Sequence, residues 1–598
     1  MHSRFDGRLS AHPNDTPPPA SAAGTLRFAG GYITCSGPDA LYEADGRLCL
    51  AVGEPRFQDE ALRALAASSG NAAAWLHAFR EYAHIAPAKA HGRFAVVVID
   101  PVGRSAWLAT DRFGTWPVCY AERDHSLRFS DRADAIADAA AVSPQALFEY
   151  LYFHMIPAPR TVFEGVRRLQ AGHVLHWSDG QAEVMPWWQP AFDEAHSPDL
   201  GQSEQRFLSL IEDAVAREAA DHSTGSFLSG GTDSSTVCGM LCKVLGRPAR
   251  SYSIGFDANG YDEMAFARLA ARHFGADHRE YYVTPEDLLQ GIPKVAVHYD
   301  QPFGNSSAVP AWICADRARQ DGVDKLLAGD GGDELFGGNT RYAKQRVFGY
   351  YECLPGPLRS SVIEPLLAVP GVARLPLARK AASYVTQARV PLPHRLDMYN
   401  MLHRLGLETL FEPGFLARVD PAQPRMLQQD AWASAHAESI INRMLAYDWK
   451  FTLADNDLPK VIGTTQLAGL DVAFPLLTDE LLAFSTTLPP NWKVRGLKLR
   501  WFFKHALRNF LPPDILTKKK HGFGLPFGVW ACRHDGLNAM ARDALGSFAR
   551  RGVIRPSFVT ELLDTHLVSH PGYYGEMVWI MMILELWLRE HAPDFSLN

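Results

Sequence analysis

Ser226-Phe227-Leu228 followed by Ser229-Gly230-Gly231-Thr232-Asp233-Ser234-Ser235 is the stretch that decides the fold of this chain. The first three residues read as a short strand. From Ser234 to Leu245 the apolar residues Val237, Leu241 and Val244 recur at helical spacing, and Gly246 stops the helix. A strand that turns through two glycines into a helix is built to hold an anion. Backbone N–H groups can approach it closely, and the positive end of the helix points at it. Ser229, Ser234 and Ser235 add hydroxyl donors. Asp233 would repel a phosphate, and its presence makes sense if it holds Mg²⁺ against one. The chain has no GxxxxGK[ST] string and no kinase signature, which argues against ordinary γ-phosphate transfer.

Outward from this loop, strands alternate with helices. Arg250 to Phe256 and Lys325 to Ala328 read as strands, and Tyr261 to Phe274 as a helix closed by Gly275. The alternation predicts a parallel sheet with helices on both faces, which binds ligands at the carboxyl ends of its strands. At one such end lies Ala328-Gly329-Asp330-Gly331-Gly332-Asp333-Glu334-Leu335-Phe336-Gly337-Gly338, three carboxylates within five residues, flanked by apolar pairs. Upstream, residues 25–190 read as short strands and turns, with a buried strand from Gly92 to Asp100, further strands at Ser105–Thr110 and Trp116–Ala121, and a Pro-bounded linker from Pro186 to Pro198. Residues 1–24, with the Pro/Ala/Ser-rich Asn14–Ala23, read as a disordered tether, and residues 203–598 as the second unit.

Composition narrows the function classes. The 598 residues carry a formal charge of −7 with 47% hydrophobic and 21% charged residues. The only basic run, Lys518-Lys519-Lys520, is too short for a nucleic-acid footprint. Eight cysteines read as reduced thiols, and Cys238 and Cys242, four apart on a helix, as packed thiols, since no second pair follows at zinc spacing. The apolar run Met577–Leu588 contains Glu585 and falls short of a membrane span, so a buried helix and a cytoplasmic protein are expected.

The glycine-rich loop resembles the pyrophosphate loop of ATP pyrophosphatases, and more narrowly that of the class B asparagine synthetases, which carry an N-terminal glutaminase domain. The resemblance spans about residues 25–590. It implies an α+β, Ntn-type β-sandwich first and an α/β, doubly wound ATP-pyrophosphatase domain with a helical C-terminal part second. It also implies that ATP and pyrophosphate lie against Leu228, Ser229, Gly230, Gly231, Asp233, Ser234 and Ser235, with Ile254 and Gly329, and that Asp233 and Asp333 bind Mg²⁺. The position of Asp330, usually Glu in the family, helps the amine nucleophile lose its proton. Lys520, in Lys520-His521-Gly522-Phe523-Gly524, matches a lysine that donates to the phosphates.

The chain also departs from that family. Active glutaminases place a cysteine directly after the initiator methionine. Here His2 stands there, and the Asn-Gly-Glu stretch that supplies an oxyanion-hole Asn reads Val52-Gly53-Glu54. Asparagine synthetases usually have Arg at Ala473, Asp-Arg at Ile462-Gly463 and Asp at Thr478, so the acceptor pocket, or the packing around it, is changed. In Tyr299–Ser307, Asp300 and Asn305 read equally as substrate contacts or as a turn. Two offshoots lose the N-terminal cysteine: β-lactam synthetases, with Tyr at the position of Asp330, and lasso peptide macrolactam synthetases. The acid at 330 favours the lasso resemblance. It implies a leaderless core peptide as substrate, closed through an Asp or Glu side chain, with a leader peptidase and a leader-binding module as partners. An ammonia-dependent asparagine synthetase or a β-lactam synthetase-like cyclase is the alternative, and no nucleic acid or membrane is involved.

Overall fold

The computed structural model describes residues 4–10, 12, 24–37, 40–138, 141–219, 223–258, 260–352, 354–368, 376–518 and 524–597. The N-terminal unit is a sandwich of two six-stranded sheets, antiparallel throughout. Its first sheet runs through a strand expected to be tether. Phe5–Ser10 pairs with Gly31–Cys35 on one side and Ser126–Ser130 on the other. Phe5 and Leu9 are fully buried between the sheets, beside Ile33, Val97 and Trp177. The tether assignment for residues 1–24 is therefore wrong for this segment. Phe-Asp-Gly-Arg-Leu-Ser alternates with period two, but it is short and polar enough to be masked by the Pro/Ala run behind it.

The strand Ala90–Asp100 explains its own composition. Ala95, Val97 and Ile99 face the sandwich interior. Phe94, Val96 and Val98 face the helix Asn71–Tyr82, whose Trp75 and Phe79 cover the outer surface. A strand buried on both faces loses its alternation and reads as a continuous apolar run. That helix and its neighbour Glu60–Ser69 were not expected from the sequence. The strand expected at Trp116–Ala121 begins at Cys119, after Pro117, which has no N–H for the ladder.

The second unit is built on five parallel strands in the order Asp277–Val283, Arg250–Phe256, Thr224–Phe227, Lys325–Leu327, Asp471–Ala473. Leu326 and Leu327 point to opposite faces. Leu326 packs with Tyr252, Ala315 and Ala318, and Leu327 with Phe207, Val237 and Leu241. Helices therefore cover both faces, as the strand–helix alternation requires. Strand order reverses between Thr224–Phe227 and Lys325–Leu327, and both glycine-rich loops leave the sheet at that point. The C-terminal helix Pro571–His591 is buried from Met577 to Glu585, and fully buried Glu585 is held by Arg551 at 2.6 Å and Arg589 at 3.1 Å. Among the described residues no helix is long and apolar enough to cross a membrane.

The two units are clamped by charge. Arg168 donates to both oxygens of Asp300 at 3.1 and 2.9 Å. Arg112 donates to Asp479 at 2.6 Å, and Arg56 to Glu480 at 2.8 Å. The neighbouring Arg168 and Arg132 guanidiniums overcome burial and hold the Asp300 carboxyl below its usual range.

Candidate active site at the switch point of the parallel sheet

The switch point opens a cleft of about 470 Å³. Leu228, Ser229, Gly231, Asp233, Ser234, Ile254, Gly329, Asp330 and Asp333 line it, as expected from the sequence. Two other expected residues sit elsewhere. Gly230 turns away with φ 67° toward the helix Met264–Phe274. Ser235 is fully buried, and its N–H is used by the Gly231 carbonyl at 3.0 Å. The helical period of Thr232–Leu245 carries Ser235 to the core side while Asp233 and Ser234 face the cleft. Lys520 lies outside the described residues.

The first loop is pre-shaped by its hydroxyls. Ser229 Oγ and Ser234 Oγ are 3.0 Å apart, and Gly231 N–H donates to Ser229 Oγ at 3.3 Å. The second loop supplies Asp330 and Asp333. A Cβ on Gly332 would stand 2.5 Å from Asp233 Oδ1, and one on Gly338 1.6 Å from Asp333 Oδ1. Glycine at these positions lets the carboxylates of the two loops come together.

Four further residues complete the cleft: Arg500 and Lys518, which had no assigned role, and Asp457 and Lys460, which open the 457–477 segment that resembles the family's substrate pocket. Lys460 Nζ lies 2.9 Å from Asp457 and 4.0 Å from Asp330. Burial pushes the Asp330 carboxyl up to about 6, with Lys460 opposing the rise and Asp457 adding to it. Burial opposes charge on Lys460 as well, but Asp457 and Asp330 hold its ammonium above the usual range. Lys518 bridges Glu263 at 3.1 Å and the Gly230 carbonyl at 3.4 Å, which puts a cation at the first loop. Arg500 donates from Nη1 to Asp233 and lies 2.8 Å from Asp333. The three-residue spacing of Asp457 and Lys460 at the start of a helix was a usable signal for that pair. Arg500 had none, because it reaches the loops from a distant hairpin.

Asp233 and Asp333 aim at one point, the Arg500 Nη1 atom, at 2.6 and 2.8 Å. Mg²⁺ asks for one or two carboxylates and takes its other ligands from phosphates and water, so this donor pair fits it. Among the described residues no group of three or more His, Cys, Asp or Glu is placed to hold a metal ion by itself. When bound, the cation would neutralise phosphate charge.

At three of the departures in the C-terminal half, Gly463, Ala473 and Thr478, the structure shows local packing or capping, while Ile462 lines a separate cavity with Tyr299. A side chain on Gly463 would meet the Tyr299 ring at 2.4 Å, so Tyr299 fills that space. Ala473 is buried on the edge strand, and Thr478 caps the helix Asp479–Thr486 through its hydroxyl. Asp300 is committed to Arg168, and Asn305 to Asn456 and the Ser307 N–H. Neither Asp300 nor Asn305 lines the cleft.

Residues 206–589 match the Asparagine synthase family, and residues 56–188 the Glutamine amidotransferase domain. The chain belongs to the asparagine synthase family. Across 552 residues it is 27% identical to the putative glutamine-hydrolysing asparagine synthetase of Mycobacterium tuberculosis, covering 88% of this chain and 80% of that one. It is 23% identical over 526 residues to glutamine-hydrolysing asparagine synthetase 1 of Bacillus subtilis, covering 86% and 79%. A putative synthetase of Methanocaldococcus jannaschii shares 28% over 308 residues, 49% of this chain and 58% of that one. As a member of the asparagine synthase family the protein is an ATP-dependent ligase that forms AMP and pyrophosphate.

Proposed function

We propose that this asparagine synthase family member closes a macrolactam in a ribosomal peptide. An Asp or Glu side chain of the peptide is adenylated and then attacked by the peptide's own N-terminal amine, as in lasso peptide cyclases. The observation that carries the reading is where the cysteines lie. Cys35, Cys49 and Cys119, the three of the glutaminase-like unit, are buried in its core, and burial raises each thiol, that of Cys119 to about 12. A nucleophile must be exposed and readily ionised, and these thiols are neither. Val52 stands where an oxyanion-hole Asn is expected. Nitrogen released from glutamine is thus not the source, and an amine carried by the substrate takes its place.

In the cleft the peptide carboxylate attacks the α-phosphorus of ATP. The bond to the β-phosphate oxygen breaks, and pyrophosphate departs against the Gly231 N–H, the Ser229 and Ser234 hydroxyls and the Lys518 ammonium. Asp233 and Asp333 are the residues that would hold Mg²⁺. Asp330 then takes a proton from the peptide ammonium, the amine attacks the acyl carbon, and AMP leaves. A carboxyl placed near 6 is a suitable base, ionised at neutral pH yet basic enough to accept the proton. A leader peptidase and a leader-binding module would deliver the core peptide. The degenerate domain serves as a fixed wall, clamped through Asp300, Asp479 and Glu480.

The test is to express the gene with its flanking genes and look by mass spectrometry for a peptide lighter by one water, repeating it with Asp233→Ala. A dehydrated, protease-resistant peptide that disappears in the variant supports the reading. Its absence, with the protein and a precursor both expressed, sinks it. Conversion of free aspartate and ammonium to asparagine would favour the ammonia-dependent alternative.

A further inference from the structure

The two acidic loops meet on a residue that belongs to neither. Arg500 follows a short hairpin, Val494–Arg495 paired with Lys498–Leu499, and starts the helix Trp501–Ala506. Its backbone is left-handed, with φ 52° and ψ 41°, a conformation that costs an arginine energy. The Arg500 N–H donates to the Gly337 carbonyl at 3.1 Å, which ties this strained residue to the end of the second loop. The side chain is buried. Nη1 lies 2.8 and 2.6 Å from the two oxygens of Asp233 and 2.8 Å from Asp333, and Nη2 donates to Thr232 Oγ1 at 3.3 Å. Buried Nε has no hydrogen-bond partner among the described residues.

Two partly buried carboxylates drawn to one point repel each other unless a positive charge stands between them. We propose that Arg500 is the resident counter-ion of the Asp233–Asp333 pair in the nucleotide-free protein, and that Arg500 and a divalent cation exclude each other from the space between the two carboxylates. The inference rests on the reading that these two residues hold the cation. A guanidinium on a long stem can leave a carboxylate for a phosphate, since it binds both through paired N–H groups. Its unpartnered Nε–H is a donor waiting for one more acceptor. The nucleotide-free enzyme would then take up bare divalent cations poorly and accept them readily only together with ATP.

Mn²⁺ is the probe, followed by electron paramagnetic resonance in wild type, Arg500→Met and Arg500→Lys, each with and without α,β-methylene-ATP. Without nucleotide, Arg500→Met should bind Mn²⁺ about tenfold more tightly than wild type, because its competitor is gone. Its melting temperature should also rise more on adding Mn²⁺. Arg500→Lys should lie between the two, and adding Asp333→Asn to Arg500→Met should abolish the gain. Equal Mn²⁺ affinity in folded wild type and Arg500→Met overturns the proposal while leaving the cation reading intact, provided both bind Mn²⁺ with the analogue. Failure of every form to bind Mn²⁺ even with the analogue overturns the cation reading and the proposal together. If Arg500→Met does not fold, Arg500→Lys decides, and wild-type affinity in that variant overturns the proposal.

Discussion

Glu480→Gln removes one anion from the seam between the two units while keeping the shape of the side chain. Arg56 Nη2 donates to the Glu480 oxygens at 2.8 and 3.0 Å, His91 Nδ1 lies 3.4 Å away and Arg217 Nη2 3.7 Å away. The hydrogen bond from His91 comes first, and Arg56 and Arg217 add their charge. Together they outweigh burial and hold the carboxyl at about 2, down from 4.5. A carboxyl that is more acidic folded than unfolded stabilises the fold fully above its unfolded value and loses that contribution as pH falls through its folded value. The depression is worth about 3 kcal/mol, and partial exposure with salt screening reduces this to about 2 kcal/mol. For a unit of about 400 residues unfolding with about 2.1 cal/mol/K per residue, the loss lowers the melting temperature by about 2–3 °C. Differential scanning calorimetry at low salt on both proteins, from about pH 7 down to about pH 3, reads the first transition, since a chain with several units need not melt in one step. The gap between wild type and variant should be full at about pH 7 and shrink steadily below about pH 4.5. A gap that stays constant with pH, or a variant that melts higher at neutral pH, would refute the role assigned to this seam.

Three further outcomes follow from the cleft. Asp330→Asn should keep carboxylate-dependent release of pyrophosphate but slow amide formation by about 10²–10⁴-fold, measured by following AMP and peptide product separately. Lys460→Met removes the cation 4.0 Å from Asp330. The Asp330 carboxyl then rises further above about 6, and because it must be ionised to accept the proton, the acid limb of the rate profile should move up by about one pH unit, with Lys460→Arg restoring it. Lys518→Ala should weaken binding of a fluorescent ATP analogue by about tenfold, the usual scale for one charge-assisted contact to phosphate.

Much of the parallel sheet was legible because it repeats a local rule. The strands Thr224–Phe227 and Lys325–Leu327 end in loops whose glycines, hydroxyls and acids have a chemical reason, and Gly246 and Gly275 close the helices where left-handed caps are found. Asp233, Asp330 and Asp333 stood out because acids among glycines cannot form a core. Ser235 was misplaced since a string of hydroxyls does not reveal which of them the helical turn carries inward. Arg500 and Lys460 act from segments far from both loops, and only tertiary packing brings them to the cleft. Gly463 and Tyr299 make the same point. A glycine in the sequence looked like a lost binding residue, yet it is the space an aromatic ring occupies. Phe5–Ser10 was missed because a six-residue strand gains its register from its neighbours at 31–35 and 126–130.

The most direct measurement is an isotope transfer. Purified protein is given ATP and the leaderless core peptide carrying oxygen-18 in the acceptor side-chain carboxyl. If the peptide carboxylate is adenylated and then captured by its own N-terminal amine, one labelled oxygen appears in AMP for each peptide that loses one water. ADP as the product, AMP without the label, or amide formed only when ammonium is added would contradict the account.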